Sequence, residues 1–154
     1  MSPLAYTRRW SSPFLAGATV LTVALRTIPA IAQSNQPVYS PLPLTSGQEI
    51  TDTLSTQDIP TGEGGFSRDY RIRLENGDQV AIDLLSEEFD TIVVLIKGDG
   101  SKVSENDDGP DGTTNSLLFA RITETGEYIV RVRAFGETGG GQFRLKVTRL
   151  RPIE

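Results

Sequence analysis

Residues 69–85, DYRIRLENGDQVAIDLL, decide how this chain folds. From Asp69 to Glu75 the apolar residues Tyr70, Ile72 and Leu74 alternate with Asp69, Arg71, Arg73 and Glu75. That period of two sets one face on a core and the other in water. Val80, Ile82 and Leu84 resume the alternation after Asn76-Gly77, two residues that tolerate the positive φ angles of a type I′ turn. The stretch predicts two strands joined as a hairpin.

On either side the same pattern continues. A weak alternation runs from Ile50 to Leu54, and Thr91 to Ile96 is apolar and β-branched at nearly every position, as expected of a central strand covered on both faces. Gly98-Asp99-Gly100 ends it, Ser101 to Glu105 reads as a short edge strand, and Ser116 to Thr123 as another strand. Beyond Thr125-Gly126, Tyr128, Val130 and Val132 oppose Glu127, Arg131 and Arg133, with Ile129 interrupting the polar face. Gly136 to Gly141 reads as a loose glycine-rich connection to a last strand built on Phe143, Leu145 and Val147. Sustained 3.6-residue periodicity with helix caps is missing after the N-terminal region. Seven or eight short strands at regular spacing predict an all-β fold, a jelly-roll-like antiparallel β-sandwich over residues 48–150.

The N-terminal region has a different origin. Arg8 and Arg9 precede an uncharged run from Trp10 to Leu25, and Ala30-Ile31-Ala32 puts small side chains where a signal peptidase reads them. Residues 1–32 are therefore expected to be a secretory signal cleaved before Gln33. Arg26 cuts the apolar run short of the roughly 20 residues of a membrane span, and Trp10-Ser11-Ser12 lacks the apolar pair usual after twin arginines, so ordinary export to the periplasm or the medium is expected. Residues 33–47, with Pro37, Pro41 and Pro43 among polar residues, read as a proline-rich linker. No membrane insertion is expected once the signal is gone, and the mature protein is expected to be a monomer.

Charge and composition restrict the chemistry. The full chain carries 15 basic and 20 acidic residues; losing Arg8, Arg9 and Arg26 leaves 12 basic ones and a net charge of −8. Such a surface argues against nucleic acid or an anionic membrane as partner and favours cations. Histidine and cysteine are both absent, which removes Ser-His-Asp and Cys-His arrangements, the zinc sites built on those ligands, and disulfides. Lys97, Lys102 and Lys146 stand in no Ser-x-x-Lys spacing, and Ser101 lacks the nucleophile elbow. Glu87, Glu88 and Asp90 could serve a carboxylate-based hydrolase only by converging in a cleft; as a run between two strands they read as a solvated turn. Arg71, Arg73, Arg131 and Arg133 are expected to pair with acids across the sheet.

The acidic loop is more suggestive. Glu105, Asn106, Asp107, Asp108 and Asp111 put five oxygen-bearing side chains into seven residues, with Gly109 and Gly112 permitting tight curvature. Calcium takes six to eight oxygen ligands on a flexible backbone. The loop lacks the EF-hand spacing, and Asx and Gly residues also build ordinary turns.

Taken in order, several segments resemble the bacterial pre-peptidase C-terminal domain family, which is related to the collagen-binding domains of bacterial collagenases. Asp69 to Leu74 with Gly77-Asp78-Gln79-Val80 is similar to its opening hairpin, and Phe89-Asp90-Thr91 with Val94, Leu95 and Gly100 to the next strand and turn. Asn106-Asp107-Asp108-Gly109 with Asn115-Ser116 is similar to its most recognisable loop, Gly126 to Val132 to the following Gly-x-Tyr strand, and Gly141 to Leu145 to the last. The resemblance spans about residues 48–149. It implies a calcium-associated sandwich, usually appended to secreted proteases, that assists secretion or binds matrix or substrate. By position it points to Asp90, Asn106, Asp107, Asp108 and Asp111 as metal ligands, with calcium in a structural role. No protease domain precedes the module in this sequence, so the expectation is a non-catalytic accessory or binding module for an extracellular or envelope polymer or protein. A purely structural envelope protein is the alternative that also lacks chemistry.

Overall fold

The computed structural model describes residues 39–62, 64–110, 112–136 and 139–150. The expected signal peptide, residues 33–38 of the expected linker, and Asp111 lie outside them. The ten strands among the described residues are β1 (Leu42–Pro43), β2 (Glu49–Leu54), β3 (Ile59–Pro60), β4 (Phe66–Leu74), β5 (Gln79–Leu85), β6 (Thr91–Lys97), β7 (Lys102–Asn106), β8 (Ser116–Arg121), β9 (Gly126–Ala134) and β10 (Gly141–Leu150). One sheet has the order β1-β4-β9-β6-β7, with β3 also beside β4, and the other the order β2-β10-β5-β8. All pairings are antiparallel except β1 with β4.

The strand segments read from the sequence fall on the eight longer strands, and their apolar faces meet. Tyr70, Ile72 and Leu74 of β4, Val93 and Leu95 of β6, and Tyr128, Val130 and Val132 of β9 pack in one buried cluster with the apolar residues of the other sheet. Those are Leu54 of β2, Val80, Ile82 and Leu84 of β5, Leu118 of β8, and Phe143, Leu145 and Val147 of β10. The Phe143 ring takes edge-to-face contacts from Tyr70 and Phe89, each at 6.3 Å between centroids. Such pairs contribute about 0.5–1.5 kcal/mol beyond their burial. β1 and β3 are two residues long, too short for any alternation to announce them.

The expected hairpin is not formed. β4 pairs with β9 while β5 pairs with β10 and β8, so residues 75–78 carry the chain from one sheet to the other. The turn closes with Asp78 N–H donating to Glu75 O at 3.0 Å, and Gly77 has φ 93°. Positive φ is confined to glycine among the described residues, so Asn76 cannot supply the second left-handed residue of a type I′ turn, and Gly77 at the third position fits type II. The turn is fastened to the segment before β9: Gly77 N–H donates to Ile122 O, Ile122 N–H to Asp78 O, and Asn76 N–H to the Thr125 hydroxyl. Alternation reports which face a strand buries and is silent on whether the next strand lies beside it or across the core.

The linker expectation is also corrected from Tyr39 onward. Leu42 and Pro43 pair with Tyr70 and Arg71, Leu44 is buried, and Leu44 and Gly47 N–H groups donate to Arg71 O and Val147 O. Proline did not prevent this, because an edge strand needs few donors. The glycine-rich connection, described again from Gly139, is tight there. Gly141 has φ 140°, and a Cβ on it would lie 2.2 Å from the Glu88 carboxylate, whose Oε2 accepts the Gln142 N–H at 3.0 Å.

Candidate functional site

The acidic loop leaves β7 and returns as β8. Asn106 holds it: its side-chain amide donates to Asp108 O and Leu117 O, both at 2.7 Å, while Leu117 N–H donates to Asp108 O. The return is fixed to the start of β6, where the Thr91 N–H and hydroxyl both donate to Thr114 O and the Thr91 and Ser116 hydroxyls meet at 2.6 Å. Asn106, Asp108 and the start of β6 are thus brought together through the backbone. Asp107, Asp108 and Asp90 are exposed, and Asp90 O accepts the Phe135 N–H. Among the described residues, no three acidic side chains group closely enough to hold a metal. The loop offers the Asn106 amide oxygen and the carboxylates of Asp107 and Asp108, which is a partial fit to the six to eight oxygens calcium takes.

The three acids weighed as hydrolase residues do not share a cleft. Glu87 and Glu88 line a depression of about 480 Å³ with Gln142 and Arg144, and Asp90 is not part of its wall. Ser86 shapes this turn by accepting the N–H groups of Glu88 and Phe89 and donating to Gln142 O. Glu88 is already engaged by the Gln142 N–H.

A larger groove, about 580 Å³, lies where β1 and β3 flank β4; Tyr39, Leu42, Ile59 and Pro60 form its rim and Arg68 and Asp69 part of its floor. Six large hydrophobic residues are exposed among those described, and three of them, Tyr39 (48%), Leu42 (45%) and Ile59 (37%), stand here. Two charge networks hold the floor. On the outward side of β4, buried Asp69 accepts Arg131 Nε and Nη2 at 2.7 Å each across the β4–β9 pair, and the Tyr39 hydroxyl at 2.5 Å. Burial and the Asp69 hydrogen bond push the Tyr39 phenol up to about 12. On the inward side, Arg68 bridges Asp52 of β2 and Asp58 of the turn before β3, with the Asp58 contact at 2.7 Å. The Tyr70 hydroxyl donates to Asp52 at 2.8 Å. Burial raises the Asp52 carboxyl, but hydrogen bonds from Tyr70, the Thr53 N–H and Arg68, with the Arg68 charge, outweigh it and hold the group below its ordinary value.

The arginine expectation therefore holds for Arg131. Arg71 and Arg73 are exposed and form no ion pair among the described residues. Ile129 stands opposite Arg71, and Glu127, opposite Arg73, is not in ion-pair contact with it. Neither the groove nor its networks could be read from spacing, since Tyr39 belongs to the expected linker and Asp69 meets Arg131 only once β4 is known to pair with β9.

Residues 66–134 match the sequence model described as "Bacterial pre-peptidase C-terminal domain". Among solved structures, the pre-peptidase C-terminal domain of collagenase from Bacillus anthracis is similar, at 12% identity and TM-score 0.55 over 71% of this chain and 95% of that one. The Aeromonas hydrophila periplasmic inhibitor of g-type lysozyme is similar too, at 11% identity and TM-score 0.53 over 72% and 96%. At these identities the likeness is one of fold. No curated protein matches the sequence.

Proposed function

We infer that this chain, a bacterial pre-peptidase C-terminal domain over residues 66–134, works as an exported, non-catalytic module that binds an extracellular or envelope protein or polymer. The observation that carries this reading is the groove between β1 and β3, whose rim gathers Tyr39, Leu42 and Ile59 in solvent over a floor stiffened by paired charges. Exposed aromatic and aliphatic residues beside fixed polar groups are the composition of a recognition surface. Export is supported by the signal-like residues 1–32, and among the described residues no helix is long and apolar enough to cross a membrane. A lack of catalysis is supported by the missing histidine and cysteine and by the separation of Asp90 from Glu87 and Glu88.

Calcium enters this reading as a stabiliser of the 106–111 loop. Asn106, Asp107 and Asp108 are the described residues that would hold it, and the bound ion would supply charge neutralisation. The test of function is retention from an envelope extract by the purified exported protein, compared with Leu42→Asp/Ile59→Asp. A component held by the wild type and lost from the variant is expected. Equal retention by both, or turnover of a peptide, ester or glycan that vanishes on Glu88→Gln, contradicts the reading.

A further inference from the structure

The outward face of the β4 sheet carries four arginines in two adjacent strands, Arg71 and Arg73 on β4, Arg131 and Arg133 on β9. Asp69, the buried acid on that face, is taken by Arg131 and Tyr39. A further guanidinium approaches from β10, where Arg149 donates to Arg73 O at 2.7 Å while facing Asp78. Arg71 and Arg73 are exposed and form no ion pair among the described residues. Like charges two residues apart on one strand face repel each other, and Glu127, which stands opposite Arg73 on that face, makes no ion pair with either of them.

We propose that Arg71 and Arg73 form a docking face for an acidic, extended polypeptide segment, distinct from the groove of the functional reading. Charge complementarity fixes the sign of the partner. Spacing fixes its class: side chains two apart on a strand repeat every 6.6–7 Å or so, and carboxylates on alternate residues of another extended chain repeat at the same interval. Each guanidinium offers a planar fork that a carboxylate fills with two parallel hydrogen bonds. The half-buried Ile129 and Ile96, side by side across β9 and β6, continue the same face beside Arg71. The surrounding acidity works against a densely charged polymer, so the partner is a segment with a few well-placed carboxylates.

The experiment is titration of the purified exported protein with a short synthetic peptide of alternating Glu and Thr, against the same peptide with Gln for Glu and against a heparin oligosaccharide. The Glu peptide is expected to bind and the Gln peptide not. Affinity should fall about tenfold on Arg71→Gln/Arg73→Gln. It should also weaken as salt rises from about 0.05 M to about 0.5 M, which shortens the screening length from about 14 Å to about 4 Å. The control Arg121→Gln/Lys146→Gln removes equal charge from the other sheet and should bind as the wild type does; thermal melting checks that all variants fold. Equal binding of both peptides, an equal loss in the control, or preference for heparin each overturns the proposal.

Discussion

Replacing Arg131 by Ala should be among the most damaging changes available at a position one-third exposed. The Asp69 carboxylate has 1% of its side-chain surface in solvent and Arg131 has 32%. Removing the guanidinium takes away two hydrogen bonds of 2.7 Å and leaves a buried anion with the Tyr39 hydroxyl. Breaking a fully buried pair costs about 3–5 kcal/mol; because Arg131 is partly screened, about 2–3 kcal/mol is expected here. For a domain of this size that is a fall in Tm of about 8–14 °C. Asp69→Asn should cost less, because the freed guanidinium can turn to water and the amide keeps a partner for Tyr39. The double variant Asp69→Val/Arg131→Val should recover most of the loss, since two apolar side chains across a strand pair leave no charge unpaired. Urea and thermal denaturation of the four proteins give the coupling energy. An Arg131→Ala protein within about 0.5 kcal/mol of wild type, or a double variant no better than the single, would refute the argument that Asp69 depends on its partner.

Three further outcomes are expected. Because the Asp52 carboxyl is held below its ordinary value, its contribution to stability is present above the unfolded value near pH 4 and is lost as pH falls through the folded value; Asp52→Asn should flatten that acid limb of a Tm-against-pH curve, and an unchanged limb would count against the network. Gly141→Ala should destabilise by about 1–3 kcal/mol in urea denaturation, since the new methyl group meets Glu88 at φ 140°. Millimolar calcium should raise the Tm relative to chelator, by several degrees at about 100 times its Kd, and Asp107→Asn/Asp108→Asn should remove the shift; a shift that survives the double substitution places the ion elsewhere.

The strands were legible because burial on one face writes itself into the sequence as alternation, and Tyr70, Ile72 and Leu74 or Tyr128, Val130 and Val132 are hard to read otherwise. Pairing was not legible. Asn76-Gly77 looks the same before a hairpin as before a crossing between sheets, and what decides is the contact of Gly77 and Asp78 with Ile122, 44 or more residues away in sequence. The groove was invisible for a related reason: Tyr39 and Leu42 sit in a proline-rich stretch whose fate depends on finding the free edge of β4. The acidic loop was legible in composition, and its fastening by Asn106 shows that one of its oxygen-bearing residues uses its amide N–H groups to shape the turn.

The claim that the protein works by binding through the groove is tested most directly by placing a photoreactive residue at Ile59 in the exported protein and illuminating intact cells. One discrete cross-linked envelope component is expected at Ile59 and none at Phe119, an exposed aromatic at 62% on the other sheet. Cross-linking at Phe119 and not at Ile59, or none at either position, would contradict it.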